Sequence, residues 1–474
     1  MDYVLRGHEF CHEVYTIIQL FFPNGKYVRR EAPDPARPAA ESGISGNMCY
    51  AELTPSGIRR EADISGMDER EIKNAVKTTV FACLTELTGK TMPWGILTGV
   101  RPTKKVFELF GKGLSVASVK EIFEREYLVS RKKAALCLET ARNERKILET
   151  ASEELVSLYI GIPFCPTRCL YCSFAAYPIE KYRGRTGEYL GCLERELALI
   201  AEITRQKGQR LQSVYVGGGT PAVLSAGEIG RLMSAVSGSF GAAALREFSF
   251  EAGRPDAIDG EKLAVLRERG ATRISVNPQT LSAATLERIG RKHTPEDFFR
   301  AFESARAAGF DNINVDVILG LPGETTADAE RTLSGVIALA PDSVTAHVLT
   351  VKRAADLREN LSDYELTSAE TAAEMTDLSY DLCKAAGLKP YYLYRQKNSL
   401  GNLENTGYAR HGAECFYNVQ ITEERQTVYA AGAGAVTKVY FPAENRLERV
   451  FNVKNVDEYM ARINEMLKRK EELL

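Results

Sequence analysis

Several things are scarce in this chain of 474 residues, and each scarcity excludes something. No apolar run approaches the roughly 20 residues that span a bilayer. The opening MDYVLRGHEF lacks the pattern of a signal peptide, so a cytoplasmic protein without a membrane span is expected. Charge of one sign is also missing: 61 basic residues nearly cancel 63 acidic ones. No global field therefore argues for nucleic acid or an anionic membrane as partner. No repeat of fixed period is visible, which argues against a solenoid. Tryptophan occurs once, at Trp94.

What is present divides into three stretches. Residues 1–150 read as an accessory α+β region. Tyr15 to Phe22 reads as a strand-like opening, and APDPARPAAESGISGN after it as a loop. Asp68 is placed to cap a helix whose stripe is Ile72, Val76, Val80, Leu84 and Leu87, with Gly89 ending it. Two more helices are expected, over about 115–128 and from Ser130 to near 150. Between these helices and the first lies MPWGILTGVRPTKKVF, whose Pro and Gly spacing suggests an ordered, tightly turned connection.

From about 151 to 390, short β-rich runs alternate with helical stretches: LVSLYIGI, SVYVGGG, EFSFEA, TRISVN, NINVDVILG and SVTAHVL. Six strands separated by helices predict a parallel sheet, closed or partly closed into a β/α barrel, and hence an α/β fold. Residues 391–474 form a C-terminal extension. There VYAAGAGAVTKVYF reads as a strand running into a small-residue turn, and VDEYMARINEMLKRKEELL as a charged helix on the surface.

Ten cysteines are present, and seven are scattered through apolar patterns where a small buried hydrophobe is the ordinary reading. The other three, Cys165, Cys169 and Cys172, follow the first barrel strand with C-x3-C-x2-C spacing. A structural zinc site needs a fourth ligand, and no Cys or His lies close by to supply one. A disulfide does not suit a cytosolic protein. Three thiolates can instead hold three irons of a cubane cluster, leaving the fourth iron open to a ligand.

Barrel active sites gather at the carboxyl ends of strands, and distinctive residues sit there. Gly217-Gly218-Gly219-Thr220-Pro221 ends the second strand and permits close backbone approach. Glu251 ends the third, Gln279 follows the fourth, Arg291 stands in IGRKH, and Asp316 lies in NVDVILG. Such groups are costly to bury unpaired. Their recurrence at successive strand ends favours a shared polar ligand.

The cysteine spacing, with an aromatic before the third Cys, resembles the radical S-adenosylmethionine (SAM) superfamily. That likeness implies a partial (β/α)6 radical-SAM barrel, a [4Fe–4S] cluster on Cys165, Cys169 and Cys172, and SAM as the second cofactor. YIGIPFCPTRCLYCSF, GGGTP, RISVNPQT, LGLPGE, YYLYRQK and AGAGA, with MPWGILTGVRPTK further upstream, resemble the oxygen-independent coproporphyrinogen III oxidases (dehydrogenases), in their longer Firmicutes-type branch. The resemblance implies two SAM molecules. Tyr159, Gly218, Glu251 and Val436 match the first site; Tyr171, Gly219, Thr220, Gln279, Arg291, Asp316 and Ala346 match the second. It further implies a porphyrinogen substrate, a flavodoxin- or ferredoxin-like reductant and a monomer. Two departures stand out: Gly161 replaces a His of the best-known members, and Asn277-Pro278-Gln279 replaces GVQ. Lys352, Arg353, Arg395 and Lys397 are candidate forks for propionates, with ordinary surface charge as the alternative. Two other functions are open. A heme chaperone of the same superfamily would carry a His-Asn-x-x-Tyr-Trp stretch where this chain has Arg410 to Tyr417. A radical enzyme acting on another substrate is the second.

Overall fold

The computed structural model describes residues 1–474 except 24, 35–36, 175, 242–244, 353–354, 360–362, 397–398 and 474. The chain forms two compact units, one of residues 1–138 with 395–403, the other of 139–394 with 404–474.

The first unit carries a five-stranded sheet of β1 (Asp2–Arg6), β2 (Val28–Arg30), β3 (Ala39–Ser45), β4 (Met48–Thr54) and β5 (Ile58–Asp63), in the order β2-β1-β3-β4-β5. Its β1 runs parallel to β2 and β3, while β3, β4 and β5 form antiparallel pairs. Two expectations fail here. Tyr15 to Phe22 is not a strand; Cys11–Phe21 is a helix, whose buried Val14, Ile17, Ile18 and Phe21 follow helical rather than alternating spacing. The second half of the Pro-rich stretch is β3 rather than loop, because beyond Pro38 every residue has an N–H to give the ladders on both sides.

The helix Glu69–Thr88 starts at a reciprocal capping box between Asp68 and Glu71 and ends at Gly89 in the left-handed region. Val76, Val80 and Leu84 are buried as the stripe requires, but Leu87 is exposed. The tightly turned connection is observed: Trp94 is buried, and Gly95 has φ +51° where a Cβ would meet the Tyr127 carbonyl oxygen at 2.1 Å.

The second unit is built on one large sheet. Six parallel strands run in sequence order: β6 (Leu155–Ile162), β7 (Arg210–Gly218), β8 (Glu247–Gly253), β9 (Arg273–Val276), β10 (Ile313–Leu319) and β11 (Ser343–Val348). These are the six expected strands, separated by helices, so the α/β partial-barrel reading holds. Most positions along these strands are buried, as suits strands covered on both faces. Beyond β11 lie β13 (Glu404–Ala409) and then β12 (Lys389–Arg395). Beyond β6 lies β14 (Val428–Ala431), a seventh parallel strand, followed by antiparallel β15 (Val436–Phe441) and β16 (Arg446–Phe451). The C-terminal extension thus widens the sheet at both edges.

The terminal segment differs from expectation. It forms the helices Val456–Ala461 and Ile463–Leu473, and these do not simply lie on the surface: Tyr459, Met466 and Lys470 are fully buried. Lys470 is held there by an ion pair with Glu196. No helix among the described residues is long and apolar enough to cross a membrane.

Candidate active site

The three clustered cysteines occupy a loop that the backbone fixes from two sides. β6 ends at Ile162; Phe164–Cys165 then pairs with Tyr177–Pro178, closing the loop between them. On one side the exit of β7 is stitched to it, with Gly219 N–H donating to the Ile162 carbonyl at 2.7 Å and Thr220 N–H to that of Phe164 at 2.7 Å. On the other, Leu170 N–H donates to the Ile289 carbonyl at 3.0 Å, and Thr167 Oγ1 to that of Gly290 at 3.1 Å. Cys172 N–H donates to the Cys169 carbonyl at 3.0 Å, bending the loop between the last two thiols.

Cys165 and Cys169 are each 9% exposed and Cys172 is half-buried. Burial pushes the Cys165 thiol up to about 11, with Thr220 and Arg254 acting in the opposite sense. Burial also raises Cys172, against Arg168 and Lys352. Thiolates disfavoured by burial become favourable when a metal supplies positive charge. Among the described residues no three His, Cys, Asp or Glu side chains converge as they would around a single ion. Thiolates that each bind a different corner of a cubane have no need to converge in that way. Three thiols on one loop therefore fit a cluster with one corner left to a ligand.

Around this loop, the strand ends form two groups. In the first, Tyr215 O–H donates to Glu251 Oε1 at 2.6 Å. Gly217 and Gly218 leave room there: a Cβ at Gly217 would stand 3.0 Å from the Glu251 carboxylate, and one at Gly218 3.4 Å from Tyr159 Oη. Tyr159, Tyr215 and Tyr417 stack on one another, the last two with centroids 4.5 Å apart. Burial, reinforced by the charge of Asp316, pushes Glu251 up to about 7.

In the second group, Arg291 Nη1 donates to Tyr171 Oη at 3.2 Å and Nη2 to the Asn277 carbonyl at 2.6 Å. Asn277 Nδ2 donates to Asp316 Oδ2 at 3.0 Å, Asn314 Nδ2 to Oδ1 at 2.6 Å, and His347 Nε2 lies 3.7 Å from Oδ2. Burial opposes ionisation of Asp316, but His347 and Asn314 outweigh it and hold the carboxyl below its ordinary range. Two nearby carboxyls are thus pushed in opposite directions, as acid–base and binding sites commonly arrange.

Gln279 has φ +68°, an uncommon conformation for a residue with a side chain. It is fixed by main-chain bonds to β10, with Gln279 N–H donating to the Asp316 carbonyl and Ile318 N–H to that of Gln279. Its buried Oε1 has no hydrogen-bond partner, nor does Arg291 Nε. Buried polar atoms without partners are rare in folded proteins; these two belong to the group around Asn277 and Asp316, which adjoins the cysteine loop through Tyr171.

Most residues expected from the sequence are therefore brought together, with some differences in place. Gly219 and Thr220 lie against the cysteine loop itself. Thr220 Oγ1 donates to Cys165 Sγ at 3.5 Å, and a Cβ at Gly219 would come within 2.9 Å of that sulfur. Ala346 is buried on β11 in register with Val317, and Val436 opens β15 just past the glycine turn that adjoins the end of β6. Arg395 is not available as a propionate fork: it is buried in the first unit, bonded to the carbonyls of Leu97 and Asn402 and stacked against Trp94. Arg353 and Lys397 lie outside the described residues. Lys352 is half-buried, with Nζ 5.9 Å from the centroid of the exposed Phe174 ring. Sequence reasoning missed Tyr215, Tyr417, His293, His347 and Arg254. Of these, His293 shared the IGRKH segment with Arg291 and could have been found there.

The profile of the radical SAM superfamily matches residues 159–334. The chain is also 38% identical over 396 residues to the oxygen-independent coproporphyrinogen-III oxidase-like protein HemZ of Bacillus subtilis, covering 83% of this chain and 79% of that protein. The chain belongs to this family of radical SAM proteins. Members of the superfamily carry a [4Fe–4S] cluster and use SAM, the cofactors that three loop thiols with an open corner suit. The chain is 33% identical over 282 residues to the heme chaperone HemW of the same organism, covering 59% of this chain and 70% of the chaperone. Among solved structures, coproporphyrinogen III oxidase (HemN) from Escherichia coli matches with a TM-score of 0.53 and 22% identity, over 68% of this chain and 72% of that one. That likeness concerns the fold.

Proposed function

We propose that this protein is an oxygen-independent coproporphyrinogen III dehydrogenase, converting two propionates of coproporphyrinogen III to vinyl groups to give protoporphyrinogen IX. The reading is carried by the extent of the likeness to HemZ. An alignment of 396 residues is longer than the whole stretch from 155 to 474, so it must continue into the N-terminal region, whereas the HemW alignment spans 282. A reduced cluster held by Cys165, Cys169 and Cys172 would supply the electron for reductive cleavage of SAM, and the radical chemistry so started would remove a β-hydrogen and CO2 from each propionate, with a one-electron acceptor taking the remaining electron.

The chain's own residues have separate tasks. Cys165, Cys169 and Cys172 hold the cluster. Tyr159, Gly218, Glu251 and Val436 line the first SAM, where the Glu251 carboxylate takes a cationic group and the glycine leaves room for main-chain contact. Tyr171, Gly219, Thr220, Gln279, Arg291, Asp316 and Ala346 serve a second SAM. The unpartnered Gln279 Oε1 and Arg291 Nε support that assignment, since a ligand would complete their hydrogen bonding. A flavodoxin- or ferredoxin-like protein is the proposed reductant.

The test is anaerobic reconstitution with iron and sulfide, followed by incubation with SAM, a reductant and coproporphyrinogen III. Protoporphyrinogen IX and 5′-deoxyadenosine are expected together. Deoxyadenosine without protoporphyrinogen would refute the substrate while leaving the radical chemistry in place. Stable heme binding with a Soret band, and no turnover, would favour the chaperone role that the HemW relatives bring into view.

A further inference from the structure

Arg254 follows β8 directly, in EAGRPD, and none of the roles above uses it. Its guanidinium is 3% exposed and forks onto Asp256, with Nε donating to Oδ1 at 2.9 Å and Nη2 to Oδ2 at 2.7 Å. The remaining arm, Nη1, donates to Thr167 Oγ1 at 2.6 Å. Thr167 lies between Cys165 and Cys169 and donates its own hydroxyl hydrogen bond to the Gly290 carbonyl. A buried cation thus reaches from the end of a barrel strand into the loop of the thiols, where the Cys165 sulfur also accepts the Thr220 hydroxyl.

Hydrogen bonds to the sulfurs and nearby charge are among the levers that set the potential of an iron–sulfur cluster. A donor and a cation both stabilise the more negative, reduced form. We propose that Arg254 is a positioning residue for the cluster: it fixes the cysteine loop through Thr167 and, with Thr220 on Cys165, raises the cluster's reduction potential. Asp256 opposes this by neutralising part of the cation. The proposal rests on the cluster assignment and is independent of the substrate.

The experiment compares wild type with Arg254→Gln, Arg254→Lys, Asp256→Asn and Thr220→Val, each reconstituted anaerobically. Iron and sulfide are measured, and the midpoint potential is taken by EPR-monitored titration without SAM. Arg254→Gln should retain iron yet show about a tenfold lower reduced-to-oxidised ratio at a fixed potential, equivalent to about 59 mV more negative for one electron. Thr220→Val should move in the same direction by less. Asp256→Asn should move the opposite way, a reversal that general loosening of the loop would not produce. Arg254→Lys should recover much of the potential but lose iron faster in air, because an ammonium cannot fork onto Asp256 and reach Thr167 together. Should Arg254→Gln take up no iron, the loop-fixing role stands and the other two neutral variants decide the potential. Full clusters with unchanged midpoints in Thr220→Val and Asp256→Asn would overturn the proposal. A wild type that takes up no cluster would instead overturn the cofactor assignment beneath it.

Discussion

Two of the second unit's buried polar constellations, at Glu196 and around Gln279, differ in how completely they are satisfied. At Glu196, both carboxylate oxygens are fully used. Oε1 accepts from Lys470 Nζ at 2.5 Å and Asn452 Nδ2 at 2.7 Å; Oε2 accepts from Tyr459 O–H at 2.6 Å and Gly432 N–H at 2.9 Å. Lys470 in turn donates to Asn452 Oδ1 at 2.8 Å. Around Gln279, by contrast, an amide oxygen and a guanidinium nitrogen are buried without partners, and the backbone of Gln279 is held at positive φ. A closed network of this kind serves the fold, tying the terminal helix to the turn after β14. An open one stores unmet hydrogen bonding and strain, as functional sites do. The two should therefore respond to substitution in opposite ways.

The largest effect belongs to the cluster. Cys169→Ala should abolish the iron–sulfur absorbance and all SAM cleavage, with the fold intact by circular dichroism; retained iron at wild-type stoichiometry would contradict the ligand assignment. Next, Lys470→Ala strands a buried carboxylate, and should cost about 3–5 kcal/mol in denaturant unfolding. Adding Glu196→Leu should restore part of that loss, and a double variant no more stable than the single would break the closed-network interpretation. Gln279→Gly should behave in the opposite sense. Glycine tolerates φ +68°, so stability should hold or rise by about 1 kcal/mol, while SAM affinity falls roughly tenfold by isothermal titration. A Gln279→Gly protein that is less stable yet binds SAM normally would place Gln279 with Glu196 as a structural residue.

A further effect is a pH dependence. Burial raises Glu251 from its ordinary 4.5 to about 7. The folded ligand-free protein therefore holds this proton more tightly than the unfolded chain. The associated stability is complete below about pH 4.5 and is lost as pH rises to about 7. Ligand-free Glu251→Gln should lack that decline. A cationic ligand favours the ionised carboxyl, so SAM affinity should climb with pH up to about 7 in wild type and stay flat in the variant. Parallel profiles for the two proteins would remove Glu251 from the binding site.

Much of this architecture was legible in the sequence because its signals are local. The six barrel strands announce themselves as apolar runs between helical stretches, and the three thiols by their spacing. Asp68 and Gly89 likewise mark the ends of a helix within one turn of chain. What escaped depends on residues far apart. Lys470 looked like one of several charges on a terminal helix until Glu196, far earlier in the chain, was seen to bury it. Arg254 resembled any arginine in a loop until Thr167 lay beneath it. The helix Cys11–Phe21 was misread because a short apolar run satisfies strand and helix alike unless its buried positions are counted. Gln279 gave no warning either, since its backbone conformation is imposed by the carbonyl of Asp316 and the amide of Ile318.

The cysteine loop is stitched to β7 and to the turn at Ile289–Gly290 largely by main-chain bonds, none of which requires iron. In zinc fingers, losing the metal means losing the fold. The main-chain bonds here predict a loop that keeps its shape without iron, so damage that strips a cluster should leave a chain that can be reloaded rather than one that must be rebuilt. For a protein whose cofactor is vulnerable to air, that makes recovery a matter of resupply.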